Sequence, residues 1–303
     1  VERISSSIAT LTLTFQSFDH FGLIKALPRL LQLVVRGLGS NRVDILAQAY
    51  TCMPRLKSTG RSLAQLDVCN APEFLVEWLL QLFDAVDVLR LRHITNTKAA
   101  ALRRDIHVVK HLETARVDID VFPHLSEILE CTTLGELAID VNGLDKDSSE
   151  AVLNNFVRKF GHNLRAFRYI NCSKGLYRLI TPNPPVLHAY KTIASVTLTT
   201  NAFTPGRGSA RCERVPVFLE SLPACIPHVR LTWDNDADLR ENVGQVDWRA
   251  IGRKLDAYAS LSSVEIGCIQ PVPDHALFVN HASARATVLE RFPERLRSIT
   301  VFV

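Results

Sequence analysis

The apolar pattern predicts an α/β array. About eleven irregular strand–helix repeats would place their parallel strands on the concave face of a right-handed horseshoe, with helices on the opposite side. Three observations predict it. The motif apolar-x-x-apolar-x-apolar recurs along all 303 residues, the positions between its apolar members are mostly polar, and helical spacing fills the intervals. Alternation at period two is what a strand needs when one face is dry and the other wet.

In chain order the motif reads Ile8-Leu11-Leu13, Leu30-Leu33-Val35, Leu63-Leu66-Val68, Val86-Leu89-Leu91, Leu112-Ala115-Val117 and Leu134-Leu137-Ile139. It continues as Leu164-Phe167-Tyr169, Ile193-Val196-Leu198, Ile226-Val229-Leu231, Leu261-Val264-Ile266 and Leu296-Ile299-Val301. Successive repeats lie 22 to 35 residues apart. Of the 33 flanking positions only seven are apolar, in a chain that is 47% apolar, so the alternation is not a by-product of composition.

Between the strands, Pro72 opens a helical pattern over 72–83, where a first-turn proline loses no hydrogen bond. Asp147-Ser148-Ser149-Glu150 supplies an N-cap ahead of Val152, Leu153, Phe156, Val157 and Phe160, and Gly161 ends that helix. Further helices are expected near 20–27, 42–52, 97–109, 123–131, 215–225, 247–259 and 284–292, several stopped by proline (Pro28, Pro54, Pro227, Pro293). Strands about 4.8 Å apart backed by helices about 10 Å wide must curve with the strands inside. No repeat can bury a core alone, so residues 1–303 are expected to form one solenoid domain rather than the two that length suggests. Pro182, Pro184 and Pro185 predict an irregular connection near 173–191, and a glycine-rich basic stretch predicts another near 201–214.

Composition narrows the function classes. The net charge of +4 comes from 35 basic and 31 acidic residues mixed along the chain, without the cationic block of a nucleic-acid binder. The longest apolar stretch, 74–83, is half a membrane span and contains Glu77. Seven cysteines with no CxxC pair predict reduced thiols in a cytoplasmic or nuclear protein. The Asn171-Cys172-Ser173 sequon is read as chance, and no signal peptide is expected. A start at Val1 suggests a segment of a longer protein.

The repeats resemble leucine-rich repeats of the long, irregular type found in F-box proteins. Helix-ending prolines just before strands, in the CMPRL, CIPHV and RFPERL segments, are similar to the large fungal F-box families. The resemblance implies the substrate-recognition part of an SCF-type ubiquitin ligase. A protein substrate would lie on the concave face, and the SCF adaptor and cullin would be reached only through an upstream F-box that these residues do not contain. Its alternative is a leucine-rich-repeat scaffold or regulator unrelated to ubiquitin, such as a sensor or GTPase-regulator arm. Either way a monomer without enzyme chemistry, cofactor, nucleic acid or membrane is expected.

Candidate partner-binding residues are the charged positions of the expected concave face: Arg36, Asp67, Arg90, Arg92, Arg116, Asp118, Asp140, Arg168 and Arg230. Arg90 and Arg116 are expected at equivalent positions of neighbouring repeats, with Arg92, Asp118 and Asp140 in the adjacent column. Arginine there could grip the carboxylates of an acidic partner segment, or the charges could satisfy one another. The stretch 201–214 offers Arg207, Arg211 and Arg214 as a rim loop, without the spacing of a phosphate loop. His107 and His111, four apart on an expected helix, lack the glutamate of a zinc-protease helix and are read as unrelated histidines. Asp234-Asn235-Asp236-Ala237-Asp238 opens like a calcium loop but has Leu239 and Gln245 where glycine and glutamate belong. Trp78, Trp233 and Trp248 are expected in the core.

Overall fold

The computed structural model describes residues 7–15, 19–37, 60–96, 106–142, 144, 146–171, 183–200, 214–233, 243–268 and 282–303. The expected helix at 42–52, most of that at 97–109, residues 172–182 of the proline-rich connection, the loop 201–213 and the aspartate run at 234–238 lie outside the described residues. Eleven strands follow one another across one open sheet in chain order. They are β1 (Thr10–Thr14), β2 (Gln32–Arg36), β3 (Ser62–Pro72), β4 (Ala85–Thr95), β5 (Val108–Ala115) and β6 (Glu136–Asp140), then β7 (Ala166–Asn171), β8 (Ser195–Thr200), β9 (His228–Trp233), β10 (Ser263–Cys268) and β11 (Thr300–Phe302). Neighbours in sequence pair in parallel from β1 to β5 and from β7 to β11. This is the α/β array of strand–helix repeats on one sheet that the sequence predicts. Contacts divide the chain into two compact units, Val1–Leu137 and Ala138–Val303.

In the first unit the dry face of the sheet carries the aligned row Leu33, Leu66, Leu89 and Leu112, all fully buried. The row Val35, Val68, Leu91 and Thr114 lies beside it, equally buried. Helices α1 (Asp19–Lys25), α2 (Glu73–Gln81) and α3 (Val121–Ile128) belong to this unit. Every residue of α2 is buried, so it is a core helix rather than an amphipathic surface one. Pro72 is its N-cap in extended conformation, one residue outside the first turn expected for it. Arg61, just ahead of β3, donates to the carbonyls of Ile24, Lys25 and Leu27, filling the orphan acceptors at the end of α1 with a cation that the helix dipole favours.

The second unit repeats the plan. Phe167, Val196, Val229 and Val264 align in one buried row, and Tyr169, Leu198, Leu231 and Ile266 in the next. Its helices are α4 (Lys146–Phe160), α5 (Arg214–Glu220), α6 (Trp248–Asp256), α7 (Ala282–Arg291) and α8 (Glu294–Ile299). Asp247 caps α6 by accepting the Ala250 amide at 2.9 Å. Arg295 closes the other end of α6 through the carbonyls of Asp256 and Tyr258, as Arg61 does for α1. Trp248 packs between Trp233 and Phe292, and all three tryptophans are core residues. The described part of the proline-rich connection, 183–194, forms neither helix nor strand.

The structure corrects two of the eleven expected registers. In β5 the inward residues are Val109, Leu112 and Thr114, paired with Val86, Leu89 and Leu91, in place of the expected Leu112, Ala115 and Val117. The cause is local. Asn70, His93 and Arg116 each have φ 53°, a left-handed residue inserted after the strand core of three successive repeats. After it the buried side falls three residues on rather than two, at Ala71, Ile94 and Val117. Because Thr114 stands where the neighbouring repeats have an aliphatic residue, a purely apolar template slides to this second phase. In β11 the inward residue is Phe302, with Val301 half exposed, because Ile299 is spent as the last residue of α8. A one-residue slip reverses both faces. His107 and His111 are also reassigned: His107 bridges to Leu129 and His111 lies within β5, so neither stands on a helix.

Candidate partner-binding surface

The wet face of the first unit is organised in rows that cross the strands, one residue per repeat and about 4.8 Å between neighbours. The first row is Val34, Asp67, Arg90 and Glu113. Both of its carboxylates are engaged: Arg90 Nε lies 3.1 Å from Glu113 Oε2, and the neutral Gln65 amide donates to both oxygens of Asp67 at 3.0 and 3.1 Å. Glu113, absent from the sequence-derived candidates, is therefore the neighbour of Arg90, in the place expected for Arg116. At the preceding position His111 Nδ1 lies 2.8 Å from Glu136 Oε2.

The second row is Arg36, Cys69, Arg92 and Ala115. Both arginines are exposed, and among the described residues neither side chain makes an ion pair or hydrogen bond. Cys69 and Ala115 alternate with them as small, half-buried floor positions. The third row is the left-handed series Asn70, His93 and Arg116, all exposed. Each follows the second row by one residue, so these two rows present three arginines, a histidine and an amide, and the carboxylate that follows Arg116 in the chain, Asp118, is engaged by the Asn96 amide. A left-handed backbone costs a non-glycine residue about 1–2 kcal/mol, least for asparagine. Histidine and arginine at sites glycine would fill without strain retain a side chain at that cost.

Two further candidates change role. Asp118 is not in a column with Arg92; its Oδ2 accepts the Asn96 amide at 3.0 Å and pins the chain after β4 to that after β5. Asp140, half-buried at the end of β6, accepts the Asn142 amide at 2.8 Å as a turn does. In the second unit Arg168 is exposed on β7, and Arg230 Nε lies 3.5 Å from Glu265 Oε2 on the neighbouring strand. Around them the wet face is hydroxylic. Thr199 and Thr232 are buried and share a 2.8 Å hydrogen bond, and Thr232 also donates to the Leu198 carbonyl. Of the rim-loop candidates, Arg207 and Arg211 lie outside the described residues and Arg214 begins α5.

Behind the first unit's sheet, Glu73, Glu77 and Gln81 recur at every fourth residue of α2, all buried. His124 Nε2 on α3 lies 3.6 Å from Glu77 Oε2. Burial holds the His124 imidazole below its usual range, against an upward pull from Glu127. Among the described residues no three His, Cys, Asp or Glu side chains gather as a metal site would require, and no helix is long and apolar enough to cross a membrane.

No family model matches the chain, and no curated protein matches it by sequence. Among solved structures it is similar to the leucine-rich repeat-containing protein LegL7 from Legionella pneumophila. That likeness has a TM-score of 0.37 and 12% identity over 98% of this chain and 84% of LegL7.

Proposed function

We propose that the chain is a protein-interaction array that holds a partner on the wet face of its parallel sheet. The observation that carries the reading is the ordered presentation there of polar and charged side chains, one per strand, on a frame whose opposite face is fully buried. Such a surface does no bond chemistry. It works by position, since a rigid sheet fixes side chains in advance of contact and so lowers the ordering cost of association. In the finer form of this proposal the chain is the substrate receptor of an F-box ubiquitin ligase. What supports that form is the resemblance of its loose, proline-punctuated repeats to those of F-box proteins. A monomer acting in the cytoplasm or nucleus, its 303 residues behaving as one cooperative solenoid, completes the proposal.

The test is affinity purification of the full-length protein from its own cells, with quantitative mass spectrometry. Recovery of the ligase adaptor and cullin is the result expected of a substrate receptor. Stable partners without them would replace that form with a scaffold or regulator, and the absence of any stable partner would overturn the interaction reading itself.

A further inference from the structure

The rows of the first unit have a charge balance that defines what they can hold. Every wet-face carboxylate on β3 and β5 is engaged within the sheet, Asp67 by Gln65 and Glu113 by Arg90. Arg36, Arg92 and Arg116 remain exposed without an ion pair among the described residues. We propose that these three arginines, with His93 between Arg92 and Arg116 at the rim, form a comb that recognises an acidic, extended peptide segment of the partner. The inference rests on the wet face being the partner surface and names the chemistry of what it takes.

Geometry sharpens the match. Arg36 and Arg92 flank Cys69 in the register, two strand spacings apart, about 10 Å. In a polyproline-type extended chain, residues three apart lie on the same side and about 9.3 Å apart. Two glutamates three residues apart would thus meet Arg36 and Arg92, with the small side chains of Cys69 and Ala115 leaving room for each carboxylate, and Arg116, one strand spacing beyond Arg92, would close on the second of them. A guanidinium suits that role because its planar fork grips a carboxylate through two parallel hydrogen bonds. Nucleic acid fits less well. Among the described residues no Phe, Tyr or Trp stands on this wet face to stack a base.

The test is fluorescence anisotropy of the full 303-residue chain with a labelled nonapeptide, three repeats of Glu-Pro-Ser. The matched Lys-Pro-Ser peptide and a nine-residue oligothymidylate serve as comparators. The glutamate peptide should bind, weaken at least tenfold in the Arg36→Glu/Arg92→Glu variant, and weaken with added salt. Arg249→Glu, at an exposed position of α6, should leave it within twofold. An Arg36→Gln/Arg92→Gln variant of unchanged circular dichroism should lose binding too, which separates lost recognition from lost fold. No binding, equal binding of the lysine peptide, tighter binding of the oligonucleotide, or a reversal variant within twofold of the parent would each overturn the comb. Cellular partners retained by the reversal variant would also overturn it while leaving the wider interaction reading intact. A protein that recovers no partner in either form would count against that wider reading instead.

Discussion

The two units use one dry frame to carry two different wet faces. In the first, β3, β4 and β5 start 23 residues apart, a left-handed residue follows the core of each, and the wet face presents exposed arginines while Asp67 and Glu113 are engaged within the sheet. In the second, the spacing stretches beyond 30 residues between β8, β9 and β10, and among the described residues no left-handed position occurs. Its face mixes hydroxyls with Arg168 and the Arg230–Glu265 pair, and Thr199 and Thr232 are hydrogen-bonded below the surface. The buried rows are alike in kind, aliphatic or aromatic at nearly every position with Thr114 the exception in the first unit, so they fix the register and leave the other face free to differ. What differs is therefore what each face can recognise.

The largest perturbation should come from the dry frame. Leu89→Ala, at a fully buried site in β4, should cost about 3–5 kcal/mol. Measured by hydrogen exchange, the loss should also reach the strands of the second unit if the chain unfolds as one cooperative solenoid. Undiminished protection of β8 and β9 would instead make the two units independent.

Acid should distinguish the units next. His124 is held below its ordinary pKa of 6.5, so the folded first unit binds fewer protons than the unfolded chain as pH falls through that range. Its stability should be full above 6.5 and decline below it, and His124→Gln should flatten that decline in a urea-melt series. An unchanged slope in the variant would place the titrating group elsewhere.

Arg116→Gly should act in the opposite direction. Relief of the φ 53° strain, partly offset by the extra freedom of unfolded glycine, should stabilise the first unit by about 0.5–1 kcal/mol in thermal unfolding. The same change should weaken the acidic-peptide comb, so stability and binding would move apart. The smallest effect belongs to Arg90→Ala. Its pair with Glu113 is about a third exposed and should be worth no more than about 1 kcal/mol in a double-mutant cycle.

Most of the frame was legible because burial imposes a period on the sequence. Nine of the eleven expected registers, the helix positions at 121–128, 146–160 and 248–256, and the buried tryptophans all follow from it. The two misreadings have one kind of cause, an inward position not filled in the expected way. Thr114 is a hydroxyl in an aliphatic row, and Ile299 is an aliphatic residue consumed by a helix. The surface was less legible, because a column on a wet face is only as good as the register beneath it. The slip in β5 put Arg116 beside Arg90 and hid Glu113, turning a neutralised pair into an apparent run of cations. A signal for the true register was present: Asn70, His93 and Arg116 are each separated by 23 residues and each followed by an apolar residue. The engagement of Asp118 with the Asn96 amide had no such trace, since it depends on the chain's path after the strand.

The most direct test of the central claim is hydroxyl-radical footprinting of the full chain, alone and with a partner recovered from cells. If the wet face holds the partner, His93 and His111 should lose reactivity while exposed residues on the helices, Leu23 and Val217, stay unchanged. Protection of Leu23 and Val217 with His93 and His111 still reactive would contradict the account and move recognition to the helical side.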